Sequence, residues 1–214
     1  MHAPVLFATI IGFAAAGGWL AARAVQTFTA KKVPLVGTIG VCCLIAAWAG
    51  RIVFGKTALA LSLCLGWSLL VLALVDLLAF RLPDLLTLPL AGAGLLAAQI
   101  LPGEHVLDHV GAGALGYVVF WAIAFAYRRL RGKEGLGLGD AKLATAAGCW
   151  LGLEPLPSVL LLASVAGILW VLIRALFKGR QAFEQRIAFG VPLCIAIWLV
   201  WLYGPLTIAL PGSN

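Results

Sequence analysis

An all-α membrane protein is the predicted fold class: a polytopic bundle of about eight transmembrane helices with its N-terminus outside. Three observations predict it: an apolar composition, a succession of bilayer-length hydrophobic runs, and a lopsided placement of basic residues. Hydrophobic residues make up 63% of the chain and charged residues only 11%, whereas soluble domains carry roughly 45–50% and about 25%. A chain of 214 residues with that balance cannot clothe a soluble core in polar side chains. It requires a bilayer as solvent.

A helix needs roughly 20 mainly apolar residues to cross about 30 Å of hydrocarbon. Runs of this kind lie near 4–22, 35–54, 57–79, 86–101, 108–127, 141–153, 156–174 and 188–209, divided by short charged or Pro/Gly-containing breaks. The first has a signal-like tail in Ala21, Ala22 and Ala24, but its charge, Arg23, follows the run, whereas a signal peptide carries its charge in front. A retained helix is therefore expected. The fourth and sixth runs are short and glycine-containing, so a tilted, broken or re-entrant path is expected there. Residues 1–214 read as a single integral-membrane domain.

The formal charge of +7 does not call for a nucleic-acid partner, because Lys and Arg beside spans set topology. With eight spans and an outer N-terminus, the inner loops hold Arg23, Lys31, Lys32, Arg81, Arg128, Arg129, Arg131, Lys133, Lys142, Arg174, Lys178, Arg180 and Arg186. Only Arg51 and Lys56 fall outside. Arg128, Arg129 and Arg131 read as headgroup anchors, and the tryptophans near span ends as interface anchors. Cys42, Cys43, Cys64, Cys149 and Cys194 all lie in apolar runs without a C-x-x-C spacing. They read as buried thiols, and no metal or cofactor is expected.

Eight acidic residues remain to be placed. Glu104, His105, Asp108 and His109 have a metal-like density but read as a solvated outer turn. Glu154 falls at another turn, and Glu184 has Arg180 and Arg186 for surface partners. Asp76 is different. It interrupts Gly66–Phe80 with no basic residue within one helical turn, and a carboxylate in a span marks a functional site by default. The bland alternative is an interfacial pair with Arg81. Asp140 closes Gly135-Leu136-Gly137-Leu138-Gly139-Asp140; alternating glycines permit unusual backbone conformations and close approach. The run lacks Walker spacing, so nucleotide binding is not indicated.

Counted from outside, the third helix descends to Asp76 and the sixth rises from Asp140. Two carboxylates 64 positions apart thus reach one membrane depth through a charge count that used neither. Paired aspartates tend to share one proton. The ionised member can then deprotonate water while the neutral one polarises a peptide carbonyl. The glycine run offers backbone groups to an extended substrate strand. The same carboxylates would also serve a small proton-coupled transporter, and an inactive scaffold subunit is a further alternative.

At these residues the chain resembles the prepilin leader peptidases, bacterial members of the GxGD intramembrane aspartic proteases. Gly137-Leu138-Gly139-Asp140 matches the signature, flanked by Lys133-Glu134 and Ala141-Lys142-Leu143. Asp76 through Pro83-Asp84 to Leu90 looks like the region of the first aspartate, and Phe189-Gly190-Val191-Pro192 resembles a Phe-Gly-Pro element with one residue inserted. The resemblance implies Asp76 and Asp140 as the catalytic pair, with Gly137, Gly139, Glu134, Lys142, Pro83 and Asp84 as motif or substrate-binding positions. Lys142 is placed either to steer an acidic substrate residue or to mark the inner face. Pro83 and Pro89 are expected to shape a helix start. The implied substrates are type IV prepilins or type II secretion pseudopilins, cut after a glycine at the cytoplasmic face of the bacterial inner membrane. Many relatives carry paired C-x-x-C motifs in a cytoplasmic insertion and methylate the new N-terminus with S-adenosylmethionine. The stretch Gln26 to Val33 has neither the cysteines nor the length, and Gly17–Arg23 replaces the family's polar first-helix elements. Peptidase activity alone is the expectation.

Overall fold

The computed structural model describes residues 3–29, 31, 33–131, 137–178 and 188–206. They form eight helices and no strand: α1 (Ala3–Thr29), α2 (Leu35–Ile52), α3 (Lys56–Ala79), α4 (Asp84–Ile100), α5 (Val106–Arg131), α6 (Leu138–Leu151), α7 (Leu156–Lys178) and α8 (Gly190–Tyr203). The protein is an all-α membrane protein. Helices α2, α3, α5 and α7 are each long and apolar enough to cross a bilayer, while α4 and α8 are shorter apolar helices. Three helices outrun the predicted spans. Arg23, expected in a loop, lies inside α1 with its guanidinium 5.1 Å from the Trp19 ring centroid, and Arg128 and Arg174 likewise sit within α5 and α7.

Like α8, which has nine of its 14 residues buried, the short sixth helix is enclosed by the protein. Of its 14 residues, nine are buried, and it packs against α4, α5, α7 and α8. Lipid-tail attraction does not distinguish protein from bilayer, so helices that pack this tightly need small residues at the contact. The sequence supplies them. A methyl group added to Gly94 would lie 2.6 Å from Trp150 Cδ1 and 2.8 Å from the Cys149 backbone; one on Gly116 would lie 2.7 Å from the Ala144 carbonyl oxygen.

Local chemistry sets the helix ends around the future site. Helix α3 stops at Phe80, whose left-handed backbone (φ 51°, ψ 39°) caps it while its N–H donates to the Asp76 carbonyl. Lys31 Nζ donates to the Leu78 carbonyl at 3.0 Å, a cation placed where the helix dipole is negative. Pro83 is the N-cap of α4 and its carbonyl accepts from Leu86 and Thr87 N–H groups, so its expected role as a helix starter holds. Pro89 does not share that role. It lies inside α4, beyond the first turn, where its missing N–H removes a helical hydrogen bond.

Two expectations for side chains are corrected. His109 is buried rather than part of a solvated turn: Nδ1 donates to the Cys149 carbonyl at 3.0 Å, and Nε2 lies 2.9 Å from Glu104 Oε2. Trp150 and Trp198 are core residues and not interface anchors; the Trp150 indole donates to the Leu90 carbonyl at 2.8 Å. Of the five free cysteines, Cys42, Cys149 and Cys194 are buried as read, whereas Cys64 is exposed.

Candidate active site

The first carboxylate is delivered by the last turn of α3. Asp76 is 6% exposed, and no ion pair joins it to Arg81, so the interfacial pairing fails. Backbone N–H groups of Gly190 and Val191, at the start of α8, face its carboxylate instead. Both groups lie at the positive end of the helix dipole, and the Val191 N–H also donates to the Ala188 carbonyl at 3.3 Å. The approach is close because residue 190 has no side chain: a methyl group there would lie 2.7 Å from Asp76 Oδ2. That oxygen is buried with no hydrogen-bond partner among the described residues.

The second carboxylate belongs to the first turn of α6. Gly137 is the N-cap, and Asp140, three residues on, accepts from the Gly137 N–H through Oδ2 at 3.2 Å. The Asp140 N–H donates back to the Gly137 carbonyl at 3.1 Å. This reciprocal pairing uses the backbone groups that an extended substrate was expected to meet at Gly137. Neither Gly137 nor Gly139 is needed for an unusual dihedral: neither has positive φ, and Gly137 has φ −77° and ψ 147°, open to any residue. Gly139 is needed for proximity, since a methyl group there would lie 2.9 Å from Leu82 Cβ. The signature therefore clamps α6 onto the segment that follows Asp76.

Asp76 and Asp140 line one cleft of about 510 Å³ and interact electrostatically. Pro83, Asp84, Gly137, Gly139 and Lys142 border the same cleft, so all the predicted site residues but one are brought together. Glu134 lies outside the described residues, as do Lys133 and Gly135. At the rim Lys142 Nζ pairs with Asp84 Oδ1. Lys142 thus marks the cleft and meets a partner 58 residues away. Cys194 is fully enclosed on α8, within electrostatic reach of both acids.

Phe28 and Phe80 also border the cleft, and neither was expected there. Phe80 had one available signal: Pro83 announces a helix end, yet no glycine stands where a left-handed cap would need it. Among the described residues, no three His, Cys, Asp or Glu side chains are grouped to hold a metal ion.

Fold and site together define a helical membrane protein with two buried aspartates lining one cleft. Residues 63–172 match the family model for the type IV leader peptidase family, and the chain belongs to that family. It is 42% identical over 144 residues to the prepilin leader peptidase/N-methyltransferase of Aeromonas salmonicida, which covers 67% of this chain and 49% of the relative. The protein of that name from Aeromonas hydrophila is 39% identical over 183 residues, 85% of this chain and 62% of the relative. That from Xanthomonas campestris pv. campestris is 34% identical over 194 residues, covering 87% and 65%. The chain thus spans about half to just under two thirds of these relatives' lengths. No solved structure matches it.

Proposed function

We propose that this chain is an aspartic endopeptidase that removes the leader peptide of type IV prepilins or type II secretion pseudopilins. It would act at the cytoplasmic face of the bacterial inner membrane, with the N-terminus outside and residues 1–214 working as one membrane domain. The observation that carries the proposal is the convergence of Asp76 and Asp140 in a single cleft, one from the end of a long span and the other from the start of an enclosed helix.

Like charges this close do not ionise independently, so the pair holds one proton between them. The charged member takes a proton from a water, the resulting hydroxide adds to the scissile carbonyl, and the protonated member donates a hydrogen bond to the carbonyl oxygen. Collapse of the tetrahedral intermediate returns a proton to the leaving amine. Asp140 accepts from the Gly137 N–H, while Asp76 stands against the start of α8 with no hydrogen-bond partner for Oδ2 among the described residues, which leaves that oxygen for water or substrate. The Lys142–Asp84 pair at the rim is assigned to the substrate's polar flank, and Glu134 keeps the substrate-binding role that its motif position implies. The route needs no cofactor. The paired-cysteine insertion is missing between Gln26 and Val33, and N-methylation is not assigned to the chain.

The test is co-expression with a prepilin carrying its leader. Wild type should release the mature protein, and Asp76→Asn and Asp140→Asn should each lower cleavage by about 10²–10⁴-fold, as loss of an acid–base group does. Normal processing by either variant would remove the two-aspartate mechanism. Mass spectrometry of the mature N-terminus should show no added methyl group when this protein is the sole processing enzyme.

A further inference from the structure

The cleft has an apolar wall that the acid–base chemistry does not use, and one residue in it is held against its own backbone preference. Phe80 is the single non-glycine residue with positive φ among the described residues. A Cβ disfavours the left-handed region, and helices that end this way ordinarily carry glycine there. Burial does not explain the choice of phenylalanine, because the side chain is 47% exposed. Anchoring in lipid does not explain it either, because an anchor can sit at an ordinary dihedral. The ring borders the cleft that holds both aspartates, together with Phe28 from α1 and Leu138, itself half exposed, from α6. The Phe80 N–H donates to the Asp76 carbonyl at 2.8 Å, so the backbone that carries the ring is held to the helix turn that carries the first acid. Strain kept at a cleft residue, with no packing gain to offset it, points to a role in what the cleft receives.

We propose that Phe80 is a specificity-determining residue: with Phe28 and Leu138 it forms a pocket for an apolar side chain carried by the substrate beside the scissile bond. This rests on the peptidase reading above. The occupant is a peptide in extended form, since a helical segment keeps its carbonyls in internal hydrogen bonds. Its apolar side chain leaves water for the ring face as the scissile carbonyl comes to the aspartates. An aromatic wall suits this task because it offers a large contact area with few rotatable bonds.

The experiment uses the full chain in nanodiscs and a prepilin series in which each residue flanking the cut is varied among Ala, Leu, Phe and Gln. Wild type should prefer an apolar residue at one flanking position. Phe80→Gly relaxes the backbone, so thermal unfolding should stay level or rise, while kcat/KM for the preferred substrate falls about tenfold or more and the apolar-to-Gln ratio moves toward one. Phe28→Ala should shift the ratio in the same direction, by less. A purely structural role for Phe80 would lower all substrates equally. An unchanged ratio in Phe80→Gly and Phe28→Ala, whatever the absolute rate, overturns the pocket and leaves the peptidase standing. A wild-type protein that cleaves none of the series, including the parent prepilin, overturns both.

Discussion

At the scale of single residues, the site is governed by where a side chain is missing. Gly190 lets the start of α8 come against Asp76, and a Gly190→Ala methyl would sit 2.7 Å from Oδ2. Carboxylate and helix must then part. Misplacement of a reacting group by about 1 Å can cost ~10²-fold, and a cleavage assay on Gly190→Ala should show a loss of that order with the fold retained. The two signature glycines separate in the same assay. Gly139→Ala collides with Leu82 at 2.9 Å and should impair cleavage; Gly137→Ala has its nearest neighbour, Asp140 Oδ2, at 3.5 Å and an ordinary dihedral, and should stay close to wild type. Equal loss in both would mean that the motif's glycines serve something other than proximity. None of this spacing was legible beforehand. GxGD identifies which residues matter, but the reason, a close approach to Leu82, involves a partner 57 positions away that no local pattern announces.

At the scale of elements, α6 links two ends with different jobs. Its first turn carries Asp140, while its last turn is tied to α5 and the α4–α5 turn through His109. The Cys149 carbonyl can only accept, so the ring donates to it from Nδ1, and Nε2 lies 2.9 Å from Glu104 Oε2. His109→Ala leaves that buried carbonyl unpaired, a loss of about 1–3 kcal/mol, which thermal unfolding in detergent would report. Cleavage by the surviving folded fraction should be little changed, because the contact is at the far end of the helix from Asp140. Helix α6 also depends on its thin neighbours. Gly94→Val would drive a branched side chain into Trp150 and the Cys149 backbone, and overpacking of this kind costs about 1–3 kcal/mol. Helix number and order were readable from hydrophobic run length alone. The lengths of α1, α5 and α7 were not, since basic residues that end a hydrophobic run do not end a helix. Glu104, His105 and Asp108 are exposed as expected, and only His109 was misread, for a related reason: composition gives no hint that α6 arrives to enclose it.

At the scale of the whole molecule, the charge asymmetry makes a claim that neither helices nor cleft decide. If basic residues set orientation, reporter fusions in the 128–140 connection should register as cytoplasmic, and fusions at 102–105 as external. The reverse result would put the cleft on the wrong side for a leader-peptide substrate. That Asp76 and Asp140 share a depth was legible from this count, because two helices of opposite direction bring distant positions to one face. That α8 comes to the same place was carried only by the Phe189–Pro192 resemblance, since an apolar helix without ionisable residues offers no marker of what it touches.

Helices α6 and α8 each have only 14 residues, about 21 Å of helix at 1.5 Å per residue, against about 30 Å of hydrocarbon. Both begin at the cleft, at Leu138 and Gly190. Asp140 lies in the first turn of α6, and Gly190 stands against Asp76. Hydrolysis consumes a water molecule, which lipid tails do not supply. The cleft of about 510 Å³ beside both carboxylates has room for that water.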